Sequence, residues 1–327
     1  MCTAVTYQTN DFYFGRNLDL YYRYRESVTI TPRKCPFIFR NGKRLDEHYA
    51  MIGMATVEQG HPLYYEATNE KGLSMAGLNF PGNAVYWPFH VGRVNIASFE
   101  LIPWILAQCA TARQALDLLQ NVQIWDQAFS DAFPPTPLHW MLADRQHCYV
   151  LEPTNNGLEI HENPYGVLAN NPPFEFHRYN VAQYLNLTAN PPVNRFSRHL
   201  ELKPFSLGMG CIGLPGDPSS PSRFVKAAFT RANSYSGTDE MESVSQFFHI
   251  LSNVAQLRGV TGVGDGKYEY TLYSCCCNAD RGIYYYTTYG NSRISAVNMY
   301  SENLDTTTLI FFPLRNNQDI LMLNDKI

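Results

Sequence analysis

The chain opens with runs of β-branched and aromatic residues bounded by turn formers, and such runs predict strands. Cys2 to Gln8 and Phe12 to Asn17 form the first pair, with Thr9-Asn10-Asp11 as the turn between them. Further strands are predicted at Ser27 to Thr31, at Tyr49 to Ala55, and over the glycine-rich Leu73 to Leu78, with Asn79 just beyond it. The pattern then turns helical. Ser98 to Cys109 is predicted as one helix, which Pro103 permits only in or near its first turn. Thr111-Ala112-Arg113-Gln114 has the form of a capping box and predicts a second helix ending near Gln120. From His139 strands return, at His139 to Ala143, Cys148 to Pro153, Leu158 to Glu162 and Val167 to Asn170. Two helices follow, over Ser222 to Ala232 and Glu242 to Gln256. The tail reads as a meander of Tyr268 to Cys277, Gly282 to Thr288 and Ile294 to Met299, divided by turns at Asn278 to Arg281 and Tyr289 to Ser292.

Strands therefore come in blocks, with helices in pairs between them. Strict alternation would mark a doubly wound sheet; blocks predict an α+β fold of mostly antiparallel sheets with helices packed outside. No repeat or low-complexity tract divides the chain, so residues 1–327 are expected to form a single domain. Asn186 to Ser206 is polar and proline-bearing, and reads as a long excursion from the core.

Composition narrows the function classes. Of 327 residues, 45% are hydrophobic and 17% charged, which excludes disorder. A net charge of −4 gives no reason to expect a nucleic-acid partner. The 22 tyrosines suit a strand-rich protein or a large amphipathic pocket. The first basic residue is Arg16, Asn10 and Asp11 interrupt any early apolar run, and no stretch is long and apolar enough to span a bilayer. The expectation is a soluble cytoplasmic protein with no membrane partner, whose sequon Asn186-Leu187-Thr188 never meets a glycosylation machinery.

Several residue patterns carry chemistry only on the surface. The eight cysteines have no disulfide-framework spacing, and Cys275-Cys276-Cys277 lies in a strand, where neighbours point to opposite faces; small apolar core residues are the expectation. Gly208-Met209-Gly210-Cys211-Ile212-Gly213 matches a dinucleotide fingerprint literally, but Leu214-Pro215-Gly216-Asp217 follows it as a turn rather than a helix, so the phosphate-binding dipole is missing. The nine histidines are scattered, and none sits in a close Cys/His ligand cluster, so neither a metal nor a cofactor is expected. His139, beside Trp140 at a strand start, reads as a satisfied structural histidine.

The informative feature is Met1-Cys2-Thr3. A small residue after the initiator methionine permits its removal, which would make Cys2 the first residue, with an amine and a thiol on one carbon frame. An α-amine titrates near about 7.7–8.0, well matched to moving protons at neutral pH, whereas a thiol near about 8.5 needs help to ionise. One residue then carries both nucleophile and base and needs no histidine. Many chains begin Met-Cys by chance; the segment Phe14-Gly15-Arg16-Asn17-Leu18-Asp19 changes the reading. It places Arg16, able to stabilise a thiolate, and Asp19, able to hold an ammonium or thiol, on the strand paired with Cys2.

With these residues in hand, the sequence resembles the choloylglycine hydrolase family of N-terminal nucleophile hydrolases, which holds bile salt hydrolases and penicillin V acylases. The resemblance runs almost end to end. It includes Met1-Cys2-Thr3-Ala4, Asn69-Glu70-Lys71-Gly72-Leu73, Ala76-Gly77-Leu78-Asn79-Phe80 and Leu138-His139-Trp140. It continues through Gly166-Val167-Leu168-Ala169-Asn170-Asn171-Pro172, Gly213-Leu214-Pro215-Gly216-Asp217, Ser222-Arg223-Phe224 and Gly282-Ile283-Tyr284-Tyr285-Tyr286. The resemblance implies a four-layer αββα sandwich and a homotetramer, with residues 186–206 as the assembly excursion. It implies Cys2 as nucleophile, Arg16 and Asp19 as the groups that tune and hold it, Asn79 and Asn170 as oxyanion-hole residues, and Arg223 as a brace. For Arg223 an ordinary helix-start pairing with an acid such as Asp217 stands as the alternative.

Within the family Asn79 is the bile-salt-type residue, where penicillin V acylases often carry a tyrosine. The resemblance thus implies hydrolysis of conjugated bile salts, with penicillin V or an N-acyl homoserine lactone as alternative substrates and a non-catalytic steroid-binding protein as the alternative class. A steroid needs a wide apolar pocket. Three loops are expected to supply it: one with Tyr22 and Tyr24, one with Tyr64 and Tyr65 ahead of Asn79, and one with Phe129 and Phe133 ahead of His139. Ser206-Leu207-Gly208 resembles the loop that tunes glycine against taurine. Some relatives carry an arginine at the position of Leu207, where a cation would engage a sulfonate.

Overall fold

The computed structural model describes residues 1–324. Two large sheets dominate, and every strand pairing within them is antiparallel. The first runs Val167–Leu168, Cys2–Gln8, Phe12–Leu20, Lys267–Asn278, Ile283–Thr288, Asn291–Asn298, with Thr261–Gly264 paired onto Lys267–Asn278. The second runs Gly157–Glu162, Cys148–Thr154, Leu138–Ala143, Ser74–Asn79, His61–Asn69, Met51–Glu58, Ser27–Thr31, Ile310–Pro313.

Two apolar cores divide the helices between the sheets. Leu101–Gln108 and Ala112–Leu119 share a core with Met51, Met75, Leu142 and Leu151, on the outer side of the second sheet. Ser220–Asn233 and Glu240–Ser252 bring Phe224 and Phe247 into the other core, which also takes in residues of both sheets, such as Phe14, Cys277, Ile52 and Met54. The layers are therefore helix, sheet, sheet, helix, the αββα sandwich expected. The three consecutive cysteines are free and buried. Burial pushes the Cys277 thiol up to about 12 and the thiols of Cys275 and Cys276 well above the ordinary range, so they pack as neutral core residues. Among the described residues, no helix is long and apolar enough to cross a membrane.

Local signals held where turn and cap chemistry were strong. Strands Cys2–Gln8 and Ser27–Thr31 have the expected bounds. The predicted Ser98 to Cys109 helix begins with a tight turn at Ser98–Glu100 and becomes α-helical over Leu101–Gln108, with Pro103 third in the helix. The Thr111 hydroxyl caps the next helix by accepting from Gln114 N at 3.2 Å. Gln114 reaches back to Ala110 N at 2.7 Å, one residue short of a closed capping box. One correction concerns Tyr64 and Tyr65, expected on a loop: His61–Asn69 is a strand. Gln59 and Gly60 both hold positive φ, 51° and 76°, which is the two-residue hairpin turn that matches strand twist. The helix Phe174–Ala182 and the parallel pair Val94–Ala97 and Val122–Trp125 were not foreseen. Asn186 to Ser206 carries no helix or strand, in keeping with an excursion.

Gly15 shows how closely the first sheet is fitted. A Cβ built there would lie 1.9 Å from the Cys275 carbonyl oxygen. Gly15→Ala should therefore lower the unfolding free energy by about 1–3 kcal/mol or more, measured by urea denaturation, because backbone rather than a flexible side chain must yield.

Candidate active site

The first hairpin sets the site. Its register places Cys2 opposite Leu18 and Ala4 opposite Arg16, so Cys2, Arg16 and Leu18 share the face turned to the second sheet. Asn17 and Asp19 take the other face, and Asn17 Nδ2 donates to Leu251 O at 2.9 Å on the helical side. Met1 precedes the hairpin in this chain. Its amine donates to Glu269 Oε2 at 2.6 Å and to Asp19 O at 2.9 Å. Cys2 is thus preceded by a peptide bond, and its N–H donates to Asn170 Oδ1 at 2.7 Å.

Arg16 is fully buried. Nη1 donates to Gly77 O at 2.5 Å and Tyr65 O at 3.1 Å, both on the second sheet, while Nη2 has no protein partner. Burial works against its charge, but Cys2, Tyr273 and Glu66 outweigh it and hold the guanidinium above its ordinary value. Asp19 accepts from the Thr271 hydroxyl at 2.6 Å through Oδ1, and Oδ2 is buried without a partner. Burial raises the Asp19 carboxyl, against the pull of Arg223, the chain amine and Arg16.

Asn170 and Arg223 meet Cys2 from the other side. Arg223 Nη1 donates to Cys2 O and, at 2.5 Å, to Thr3 Oγ1; its Nη2 donates to Asn170 Oδ1 at 2.8 Å. It does not pair with Asp217: its Nε donates to Pro218 O at 3.0 Å, and Asp217 instead accepts from Ser219 N and the Ser222 hydroxyl. Asn170 N donates to Ser220 Oγ at 2.8 Å, and its carbonyl accepts from His177 Nε2 at 2.9 Å. Burial lowers His177 to about 4, so the ring is neutral at pH 7 and this carbonyl fixes its tautomer. His139 is fully buried between Glu152 at 3.0 Å and Ala169 O at 2.9 Å, a satisfied structural histidine. Asn170 Nδ2 donates to Asn79 O at 2.7 Å. Phe80 N bonds Pro137 O on the neighbouring strand, so strand alternation turns the Asn79 N–H to the side of its carbonyl, toward Asn170.

Cys2, Arg16 and Asn79 open into one cavity of about 360 Å³. Tyr22, Tyr24, Tyr64, Tyr65, Phe129 and Phe133 all line it. Leu207, just past the excursion, is 94% exposed in the single chain and is not among the residues that line the cavity. Phe99, Ile102 and Trp140 also line the cavity, and Thr3, Ser220, Thr271 and Glu66 support the site residues. Thr3 and Trp140 fall inside motifs already quoted; the others carry no local motif, and only the topology brings them in. Among the described residues, no three His, Cys, Asp or Glu side chains converge as a metal site.

Asn170→Leu would keep the branched outline of the side chain but leave the Cys2 N–H and one Arg223 N–H without an acceptor and the Asn79 carbonyl without its donor. The expected loss is about 1–3 kcal/mol of unfolding free energy, measured by urea denaturation of the two proteins side by side.

The geometry has relatives. The family model described as linear amide C–N hydrolases, choloylglycine hydrolase family, matches residues 2–312. The bile salt hydrolase/transferase of Lactiplantibacillus plantarum is 51% identical over 324 residues, covering 99% of this chain and 100% of the relative. The crystal structure of a mutant conjugated bile acid hydrolase from Clostridium perfringens superposes with a TM-score of 0.91 at 35% identity, over 99% of this chain and 100% of that one. Penicillin V acylase from Agrobacterium tumefaciens shares the fold, with a TM-score of 0.76 at 19% identity over 97% of this chain and 93% of the other. A match across nearly the whole chain, with Cys2, Arg16 and Asn79 gathered at one cavity, means that this protein belongs to the choloylglycine hydrolase family of linear amide hydrolases.

Proposed function

We propose that this chain hydrolyses the amide bond of glycine- or taurine-conjugated bile salts, with Cys2 as nucleophile. The observation that carries the reading is a cysteine at the second position, beside a buried arginine, on the wall of an aromatic cavity. Removal of Met1 makes the Cys2 nitrogen a free amine at the place where it now meets Asn170. That amine accepts the thiol proton, and the sulfur attacks the amide carbonyl carbon. The Asn79 N–H and the second N–H of Asn170 Nδ2 face the developing oxyanion; one such donor is worth about 2.7–4 kcal/mol of barrier elsewhere. The ammonium then protonates the departing nitrogen, the C–N bond breaks, and glycine or taurine leaves a thioester on Cys2. A water gives its proton to the same amine, attacks the thioester, and releases bile acid and the free thiol. Arg16 presents its unpartnered Nη2 to the thiolate, and Asp19 Oδ2 is free to take an ammonium hydrogen. Arg223 holds the Cys2 carbonyl and Asn170 in place.

The steroid body fits the cavity. Its walls are Tyr22, Tyr24, Tyr64, Tyr65, Phe129 and Phe133, which offer apolar faces and few polar contacts. The eight cysteines are all free, which suits a reducing cytoplasm.

The excursion supports self-association as a homotetramer. Phe196 is 80% and Phe205 87% exposed, with Val193, Leu200 and Leu202 also bare along the same segment. Sedimentation should give a tetramer, and Phe196→Ser with Phe205→Ser should shift it towards smaller species; an unchanged assembly would remove the excursion from this role.

Intact mass of active protein should lack Met1, and ninhydrin assay should detect glycine or taurine released from conjugated bile salts. Cys2→Ala should abolish that release while leaving thermal unfolding near the parent's. Retained turnover in Cys2→Ala would end the reading, and a higher kcat/KM on penicillin V than on bile salts would reassign the substrate.

A further inference from the structure

A single buried acid ties the two sheets together behind Arg16. Glu66 stands on the His61–Asn69 strand of the second sheet and is 2% exposed. The Tyr284 hydroxyl donates to its Oε1 at 2.6 Å and the Tyr273 hydroxyl to its Oε2 at 2.8 Å, both from the first sheet. Arg16 Nε lies 3.8 Å from Oε2. Every hydrogen-bond partner of this carboxyl is a donor, and a carboxylate is the form that can only accept. Burial wins on balance and raises Glu66, while Arg16, Tyr284, Tyr273 and the Cys275 thiol pull against it towards the ionised form. Burial also keeps both tyrosines neutral, well above their usual titration range, so they remain donors.

Arg16 therefore stands between two groups of opposite demand. Glu66 lies 3.8 Å from its Nε, and Cys2, which lines the same cavity as Arg16, also acts on its charge. The field that reaches the sulfur is that of the guanidinium less that of the carboxylate behind it. The other titratable groups acting with Glu66 are Tyr65 and Cys277, and Arg223 interacts with Cys2, Asp19 and Glu269.

We propose that Glu66 is the counter-ion that tunes Arg16, with Tyr273 and Tyr284 keeping it ionised, so that contacts across both sheets set the proton affinity of Cys2. The inference rests on Cys2 being the nucleophile. An arginine without its counter-ion would hold the sulfur as a stable thiolate. Such a sulfur attacks less readily, because thiolate nucleophilicity falls with thiol pKa. With Glu66 in place, the pull of the guanidinium on the sulfur is partly cancelled. Glu66 is a positioning and tuning residue: it touches Arg16, not the substrate.

The test is the pH dependence of Cys2 alkylation by iodoacetamide, read by peptide mass on the Met1-free enzyme. Glu66→Gln removes the charge at constant size. It should lower the alkylation midpoint by about 0.5–1 pH unit and reduce kcat about threefold with KM unchanged. Tyr284→Phe should move the midpoint the same way by less, and it carries the test alone if Glu66→Gln does not fold. Glu66→Asp, which keeps the charge, should restore the midpoint towards the parent's. A midpoint unchanged or raised in Glu66→Gln and Tyr284→Phe overturns the inference while leaving the nucleophile in place. A parent enzyme that turns over amides after complete alkylation of Cys2 overturns the nucleophile, and the inference with it.

Discussion

Everything at this site depends on one fully buried guanidinium. An arginine taken out of water is tolerated only if its donors are met and its charge is answered. Arg16 leaves the first sheet and finds acceptors for Nη1 and an answering charge on the second, where Gly77 O and Tyr65 O take Nη1 and Glu66 lies 3.8 Å from Nε; only Nη2 is left without a protein partner. The two sheets cannot slide against each other without breaking that set. The register that satisfies Arg16 is also the one that sets Cys2 at the cavity wall, because Cys2 and Arg16 share a face of one hairpin. The interaction that makes the sandwich specific is therefore also the one that defines the cavity mouth.

Asn170 performs an equivalent service. It sits just beyond the short strand Val167–Leu168, which pairs with the first strand. Its side chain joins the Cys2 N–H, Arg223 and the Asn79 carbonyl, and Asn79 belongs to the other sheet. Its backbone is held at both ends, by Ser220 at a helix start and by His177 on the helix Phe174–Ala182. A side chain with this many fixed partners has little rotamer freedom left, which is the state a preorganised donor requires.

How much of this was legible in the sequence follows from the range of each interaction. The first hairpin is local: turn residues and strand formers within a short window specify it, and it brought Cys2, Arg16 and Asp19 together on paper. The aromatic lining was legible as three tyrosine- and phenylalanine-bearing segments, although one of them is a strand. The Gln59-Gly60 turn hid that, since Asn-Gly and Asp-Gly are the dipeptides that announce such a hairpin. Glu66 was illegible for a different reason. An acid inside a strand reads as a solvent-facing position, and its partners Tyr273 and Tyr284 lie more than two hundred residues away. Leu207 is the opposite case: the resemblance supplied a role, and in the single chain no pairing holds this residue to the cavity.

The position of Met1 shows why processing matters more than trimming would. While the methionine is present, the only α-amine is bound by Glu269 Oε2 and the Asp19 carbonyl, one residue along from the sulfur. Cleavage on the proposed chemistry does two things at once. It removes that ammonium from its salt bridge, and it turns the Cys2 amide nitrogen, which has no basic lone pair, into an amine on the same residue as the thiol. The hydrogen bond to Asn170 is in place beforehand, so the new base is created where it is needed and no segment has to move to deliver it. A site assembled in this order needs no histidine, and the histidines closest to it, His139 and His177, are free to serve as struts beneath Asn170.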